Sequence, residues 1–330
     1  MNIDTVVHSV RNYMGLVRKQ PIRPVVEQLS STLVYGDQLP SFGDDAAVIP
    51  WNNEYLLLAT DGMMTGLLIH EPYAAGKASV MVTVNDIYSM GGRPVGMVNV
   101  LASGKDEQRA MIVDGIEKGC HKLKVPMLGG HLHPDAPADM PSLSVAILGH
   151  ARKLLRSHLA EAGDDLILAV DLSGIRGCRS VVSWDANSGK TPEELLYRLE
   201  TLPMIAESDL SCACKDISNA GILGTTSIFL ENSGKGGTIN LDAIPKPKTI
   251  DLDDWLKCFQ SFGFILSVNP RNSGKVIDLF TGRNITAQII GTVAPGSTVT
   301  VTHDGTTRTL FDFTTDTITG IRYPGTTNTA

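Results

Sequence analysis

No window of this 330-residue chain reaches the roughly 18 uninterrupted apolar residues that a membrane-spanning helix needs, so a membrane span is excluded. The first twenty residues, MNIDTVVHSVRNYMGLVRKQ, lack the basic start, apolar middle and small-residue cleavage site of a secretion signal, and the chain is expected in the cytoplasm. Basic residues are few and scattered, the net charge is −7 and the pI about 5.6, which leaves no electrostatic footprint for nucleic acid. The five cysteines, at positions 120, 178, 212, 214 and 258, are odd in number and follow no disulfide or zinc spacing. In a reducing compartment they are expected to be free thiols. Also missing are the GxxxxGK[ST] loop, a GxGxxG fingerprint after the first strand, and the protein-kinase signature set, so a nucleotide, if bound, is held some other way.

What is present is globular: 42% apolar and 19% charged residues in a chain long enough for two α/β domains. The boundary is expected near residue 152, giving units 1–152 and 153–330, with a helical extension to about residue 39 and a loosely held tail over 316–330. Asp4 is placed to cap a first helix. "YLLLAT" (55–60) reads as a buried strand ending on Asp61-Gly62. "ASVMVTVNDIYSM" (78–90), stopped by "GGRP", reads as a helix apolar on most of its circumference. Asp86 would then lie inside the protein, where an unpaired carboxylate costs several kcal/mol unless a cation or donors meet it. Strands at 95–101, 125–128 and 143–149 and a helix near 106–122 complete the first unit; "LILAV" (166–170) opens the second.

Five aspartates adjoin glycine or end an element: Asp44, Asp45, Asp61, Asp86 and Asp216. A Gly-Asp-Asp turn alone has an ordinary structural reading, because Asp favours turns for its own hydrogen bonds. As a set, these oxygens suit Mg²⁺, which is normally held by a few carboxylates together with substrate phosphates. Glycines at 43, 91, 92, 129 and 130, that is Gly43, Gly91, Gly92, Gly129 and Gly130, would let backbone amides approach an anion. Lys19, Lys77 and Lys235 are candidates for touching phosphate, and Lys235, inside the glycine turn "NSGKGG", has the best physical argument.

"FGDDAAVI", "LATDGM", "VNDIYSMGGRP", "GGHLHPDAP" and "DISNAGILG", in that order over roughly residues 40–300, resemble the PurM-like superfamily of aminoimidazole ribonucleotide (AIR) synthetase, thiamine-monophosphate kinase, selenophosphate synthetase and the hydrogenase-maturation dehydratase. The helix motif and the histidine after Gly129-Gly130 are most similar to selenophosphate synthetase. The resemblance implies an α/β fold of two domains, the first forming a β-barrel across a homodimer and the second covering ATP. It further implies ATP and Mg²⁺ as cofactors, with Asp44, Asp45, Asp61 and Asp86 holding metal, Asp216 contributing from the second domain, and His131 acting near the nucleotide or its partner. The implied activity is ATP- and Mg²⁺-dependent phosphoryl transfer to a small molecule. Alternatives within the superfamily are an ATP-driven cyclo-ligase or dehydratase acting on a small amide, and a catalytically silent nucleotide-binding dimer that supports a partner protein. The chain departs from its relatives in three places: "VRKQPIRP" stands where selenophosphate synthetase has "CGCK", Asn219 stands where many relatives have an acid or glycine, and "SFGFILSV" replaces the "GEDYEL" of thiamine-monophosphate kinase.

Overall fold

The structure, a computed structural model, describes residues 2–35, 39 and 42–323. Three short helices open the chain: α1 (Ile3–Arg11), α2 (Met14–Val17) and α3 (Ile22–Leu29). The first unit follows as β1 (Ala47–Trp51), β2 (Glu54–Gly62), α4 (Thr65–His70), α5 (Pro72–Ser89), β3 (Arg93–Ala102), α6 (Asp106–Leu123), β4 (Met127–His133) and β5 (Ser142–Ala151). Its five strands pair in the order β1-β2-β5-β3-β4. Only β3 and β4 run parallel, as a pair joined through a crossover helix must. The β1–β2 hairpin turns on Asn52 and Asn53, both at positive φ, the conformation a two-residue hairpin loop requires.

The second unit comprises β6 (Asp165–Val170), β7 (Ile175–Arg176), β8 (Ser183–Asp185), α7 (Pro192–Leu199), α8 (Thr201–Glu207), β9 (Ala213–Asp216), α9 (Gly221–Asn232), β10 (Gly236–Asn240), α10 (Leu252–Lys257), β11 (Phe259–Gln260), β12 (Gly263–Val268), α11 (Pro270–Thr281), β13 (Thr286–Ala294), β14 (Thr298–His303) and β15 (Thr306–Asp312). Seven strands form one sheet in the order β15-β14-β10-β13-β6-β12-β9, and β11-β8-β7 form a smaller one. The continuous apolar runs of β6 and β12 are explained by their central place, which buries both faces.

Helix α5 connects the two units. It packs on β2, β3 and β5 from one side, on α6 from another, and on β9 and α8 of the second unit. Burial around most of its circumference explains why its sequence has no polar stripe. Close approach to α6 depends on small residues: a Cβ on Gly76 would stand 2.1 Å from the Ile112 carbonyl oxygen, and one on Gly115 would stand 2.2 Å from that of Tyr73. The opposite face of the five-stranded sheet is bare, exposing Leu58 (47%), Val98 (47%), Val100 (46%) and Leu148 (36%). No helix among the described residues is long and apolar enough to cross a membrane.

Three local expectations are corrected. Asn2, not Asp4, caps α1, its side chain accepting from the Asp4 amide at 2.8 Å. The strand predicted at 125–128 extends through Gly129 and Gly130 to His133, so that glycine pair lies in a strand rather than a phosphate loop. The tail is not loosely held over 316–323, and residues 324–330 lie outside the described residues. Asp316 forms a two-pronged ion pair with Arg11 at 2.8 and 2.9 Å. Beyond it, Glu231 of α9, fully buried, accepts hydrogen bonds from the amides of Ile318, Thr319 and Gly320 and from the Thr319 hydroxyl. Sequence patterning misses this because a buried acid and an ion pair to α1 hold the segment, with the isolated Ile318 and Ile321 as its only buried apolar residues.

Glu231→Ala leaves these donors buried and unpaired, so it should destabilise the protein by about 3 kcal/mol. A urea unfolding curve that stays within 0.5 kcal/mol of wild type would show that Glu231 is not what holds the tail.

Candidate functional site

Gly43 (φ +92°) turns the chain so that Asp44 and Asp45 point in different directions. Asp44 is fully buried; its carboxylate accepts from Ser157 N–H at 2.7 Å, Ser157 Oγ at 2.8 Å and Arg156 Nε at 2.6 Å, with His158 Nδ1 at 3.5 Å. Burial alone would raise its pKa, but His158 and Arg156 outweigh that and hold it below the usual carboxylate value. Asp44 lines the same cavity, and its oxygens anchor it to the segment that follows β5.

Asp45 turns the other way, toward β9. It pairs with Lys215 and accepts from Ser89 Oγ at 2.7 Å and the Asp216 amide at 3.1 Å. Burial would discharge Lys215, yet Asp45 and Asp216 outweigh it and raise its pKa above the ordinary lysine value. The carboxylate oxygens of Asp45, Asp86 and Asp216 come within 4.8 Å of one another. Asp61, at the exit of β2, lines the same cavity. The side chains of Asp61, Asp86 and Asp216 accept no hydrogen bond from any described residue. Burial, reinforced by Asp61, Asp216 and Asp45, lifts Asp86 well above the carboxylate range. Burial and Asp45 push Asp216 up to about 8, and burial likewise raises Asp61.

Facing these acids are Arg18 and Lys19, at the end of α2 and just beyond it. Neither side chain has a hydrogen bond or ion pair among the described residues. Burial, with Lys215 nearby, lowers the Lys19 pKa. Their position depends on Gly15, where a Cβ would stand 2.0 Å from the Asn219 carbonyl oxygen, so α2 sits directly on the loop that enters α9. Asn219, conspicuous in the sequence as a departure, is part of that seat.

Around these groups lies a cavity of about 690 Å³ between the two units, within the range of small-ligand sites. Of the candidate lysines, Lys19 and Lys77 line it and Lys235 does not; Lys235 sits in the turn between α9 and β10, where glycine serves the turn and not a ligand. Gly43 lines the cavity. Gly91 and Gly92 are corrected to packing roles behind α5: a Cβ would meet Ala206 Cβ at 2.9 Å from Gly91 and Leu57 Cδ1 at 2.4 Å from Gly92. Gly129, Gly130 and His131 lie on the exposed strand β4, where His131 meets His133 at 4.5 Å between ring centroids, and do not line this cavity. Sequence reasoning missed Lys215 and Arg18. The signal for Lys215 was a lysine followed at once by Asp216 at the end of a buried strand; Arg18 carried none.

Residues 43–151 match the N-terminal domain, and residues 161–304 the C-terminal domain, described as AIR synthase related protein. This chain belongs to the AIR synthase related family. A protein of Methanocaldococcus jannaschii is 38% identical over 322 residues, 95% of this chain and 98% of that protein. Selenide, water dikinase of Colwellia psychrerythraea is 27% identical over 215 residues, 62% of this chain and 60% of that enzyme. The solved structure of Thermotoga maritima PurL with ATP superposes with a TM-score of 0.70 at 16% identity, covering 87% of this chain and 51% of that one. The fold of this family member is the two-domain PurM-like α/β architecture.

The raised acid pKa values make the metal-free protein pH-sensitive. A folded Asp216 titrating near 8 retains a proton that the unfolded chain releases near 4, so its stabilising contribution is complete below about pH 4 and is lost as pH rises toward 8. Asp216→Asn should flatten that decline and stabilise the protein at pH 8 in EDTA by about 1–2 kcal/mol. Urea midpoints from pH 5 to 8.5 that fall equally steeply in both proteins would show that Asp216 is not the source.

Proposed function

We propose that this family member binds ATP with Mg²⁺ and transfers a phosphoryl group to a small molecule. The observation that carries the reading is a set of unpartnered ionisable groups: the carboxyls of Asp61, Asp86 and Asp216, with no donor among the described residues, face Arg18 and Lys19, with no acceptor among them, across one cavity. Leaving such groups unpaired costs stability unless a ligand of complementary charge completes them. The residues fit the metal. Asp45, Asp61, Asp86 and Asp216 supply the hard oxygen donors that Mg²⁺ prefers. When bound, Mg²⁺ neutralises the charge that develops on phosphate oxygens during transfer.

The protein's own groups have separate tasks in this reading. Arg18 and Lys19 bind the phosphate oxygens that face away from the acids. Lys215 holds Asp45 in place and offsets repulsion within the cluster. Asp44, through Arg156 and Ser157, fixes the two units at the separation the cavity requires. Calorimetry with ATP should show binding that depends on Mg²⁺, and Asp86→Asn should weaken it at least ten-fold, about 1.4 kcal/mol. Lys19→Met should weaken nucleotide binding without abolishing its dependence on Mg²⁺. Mg²⁺-dependent affinity unchanged in Asp86→Asn would remove that residue from the site.

The bare sheet face supports a homodimer. Leu58, Leu148, Val98 and Val100 form an apolar patch of the kind that marks a protein interface. Sedimentation should give a dimer, and Val98→Asp should give a folded monomer. A wild-type monomer at micromolar concentration would end this part of the proposal.

A further inference from the structure

The cavity extends well beyond the acid cluster. Ala74, Ala78, Val82 and Asp86 recur every four residues on α5, on one stripe of the helix, and all four line the cavity. At 1.5 Å per residue the stripe carries the wall about 18 Å from Asp86 back to the start of the helix. Apolar side chains dominate along it: Met63, Met64 and Leu67 enter from the segment after β2, and Met81, Val181 and Phe259 complete the wall.

At the far end the Tyr73 hydroxyl and the Asn187 carboxamide are uncharged polar groups, and the charged groups there are paired within the protein. Lys77 donates to Ser188 Oγ at 2.6 Å and lies 3.4 Å from Asp185. Arg176 pairs with Asp254 at 2.9 Å. Glu71 accepts from the amides of Arg179 and Ser180. The Gly177 amide donates to the Ser183 carbonyl and the Cys178 amide to Ser183 Oγ, while the Asn187 and Ser188 amides both donate to Asp185. Among the described residues, the cations lining the cavity are Arg18, Lys19, Lys77, Arg176 and Lys215, and only the first two are unpaired. Both stand against the acids.

We infer that the molecule accepting the phosphoryl group is uncharged and largely apolar, carrying neither a phosphate nor a carboxylate of its own. This rests on the phosphoryl-transfer reading of the cavity. An anionic acceptor entering beside a polyphosphate meets no second cation that lacks a carboxylate partner. It has either to share a cation already neutralised by Asp185 or Asp254, beside the further acid Glu71, or to remain unpaired against an apolar wall, and both are unfavourable. An uncharged group displaces water from Met64, Leu67, Met81 and Val82 and is favoured by the area it buries.

The test uses the full chain and matched probes differing only in charge: benzamide against benzoate, and indole-3-carboxamide against indole-3-carboxylate. Binding is read by calorimetry first without nucleotide, then with Mg²⁺ and a non-hydrolysable ATP analogue. The neutral member of each pair is expected to bind at least ten-fold more tightly in both settings. Asp185→Asn, which frees the Lys77 ammonium, is expected to narrow that preference by admitting the carboxylates. Carboxylates binding as well as or better than their amides to wild type would overturn the inference, as would saturating binding by neither. Failure of the ATP analogue to bind, with the amide preference intact, would count against the phosphoryl-transfer reading and leave the apolar, uncharged character of the chamber standing.

Discussion

Carboxylates gathered away from water repel one another, and holding Asp45, Asp61, Asp86 and Asp216 at one point is the constraint on which this architecture depends. Each arrives from a different element: a turn before β1, the exit of β2, the last turn of α5 and the end of β9. No local interaction brings them together. The restraint comes from elsewhere: the packing of α5 between two sheets, the glycine contact of α5 with α6, and Lys215 buried beside Asp45. Stability is given up at this point and recovered in the core, a division common at functional sites.

The Gly-Asp-Asp turn shows how two identical neighbours acquire opposite roles. Asp44 finds three hydrogen bonds and two basic groups on the segment after β5, and becomes an anchor between the units. Asp45, one residue on, points at β9 and joins the acid cluster. The difference lies wholly in what each side chain meets, since residue type, exposure to the turn and position in the motif are shared.

That is also why the sequence disclosed some parts and hid others. The long apolar runs of α5, β6 and β12 announced themselves, because burial on all sides imposes a composition. The converging aspartates were legible as a set, since carboxylates beside glycines at element ends have few other uses in such number. Lys235 misled because a glycine-flanked lysine looks the same whether the turn faces a ligand or solvent. The anchoring of Asp44 was hidden because its partners, Arg156 and Ser157, lie more than a hundred residues away. Gly91, Gly92 and Gly129 misled because glycine is needed equally for tight packing and for anion approach. Lys215 was missed although it adjoins Asp216, because its partner Asp45 lies 170 residues away in sequence.

The segment held by Glu231 bears on the shape of the cavity. Thr319 and Ile321 form part of the cavity wall, Tyr323 stacks on His158 at 4.0 Å between rings, and the Tyr323 amide donates to the Asn232 carbonyl. The wall therefore includes residues far in sequence from the aspartates they stand beside, and a buried acid of α9 holds them there. A change at Glu231 would be felt in the cavity wall as well as in overall stability.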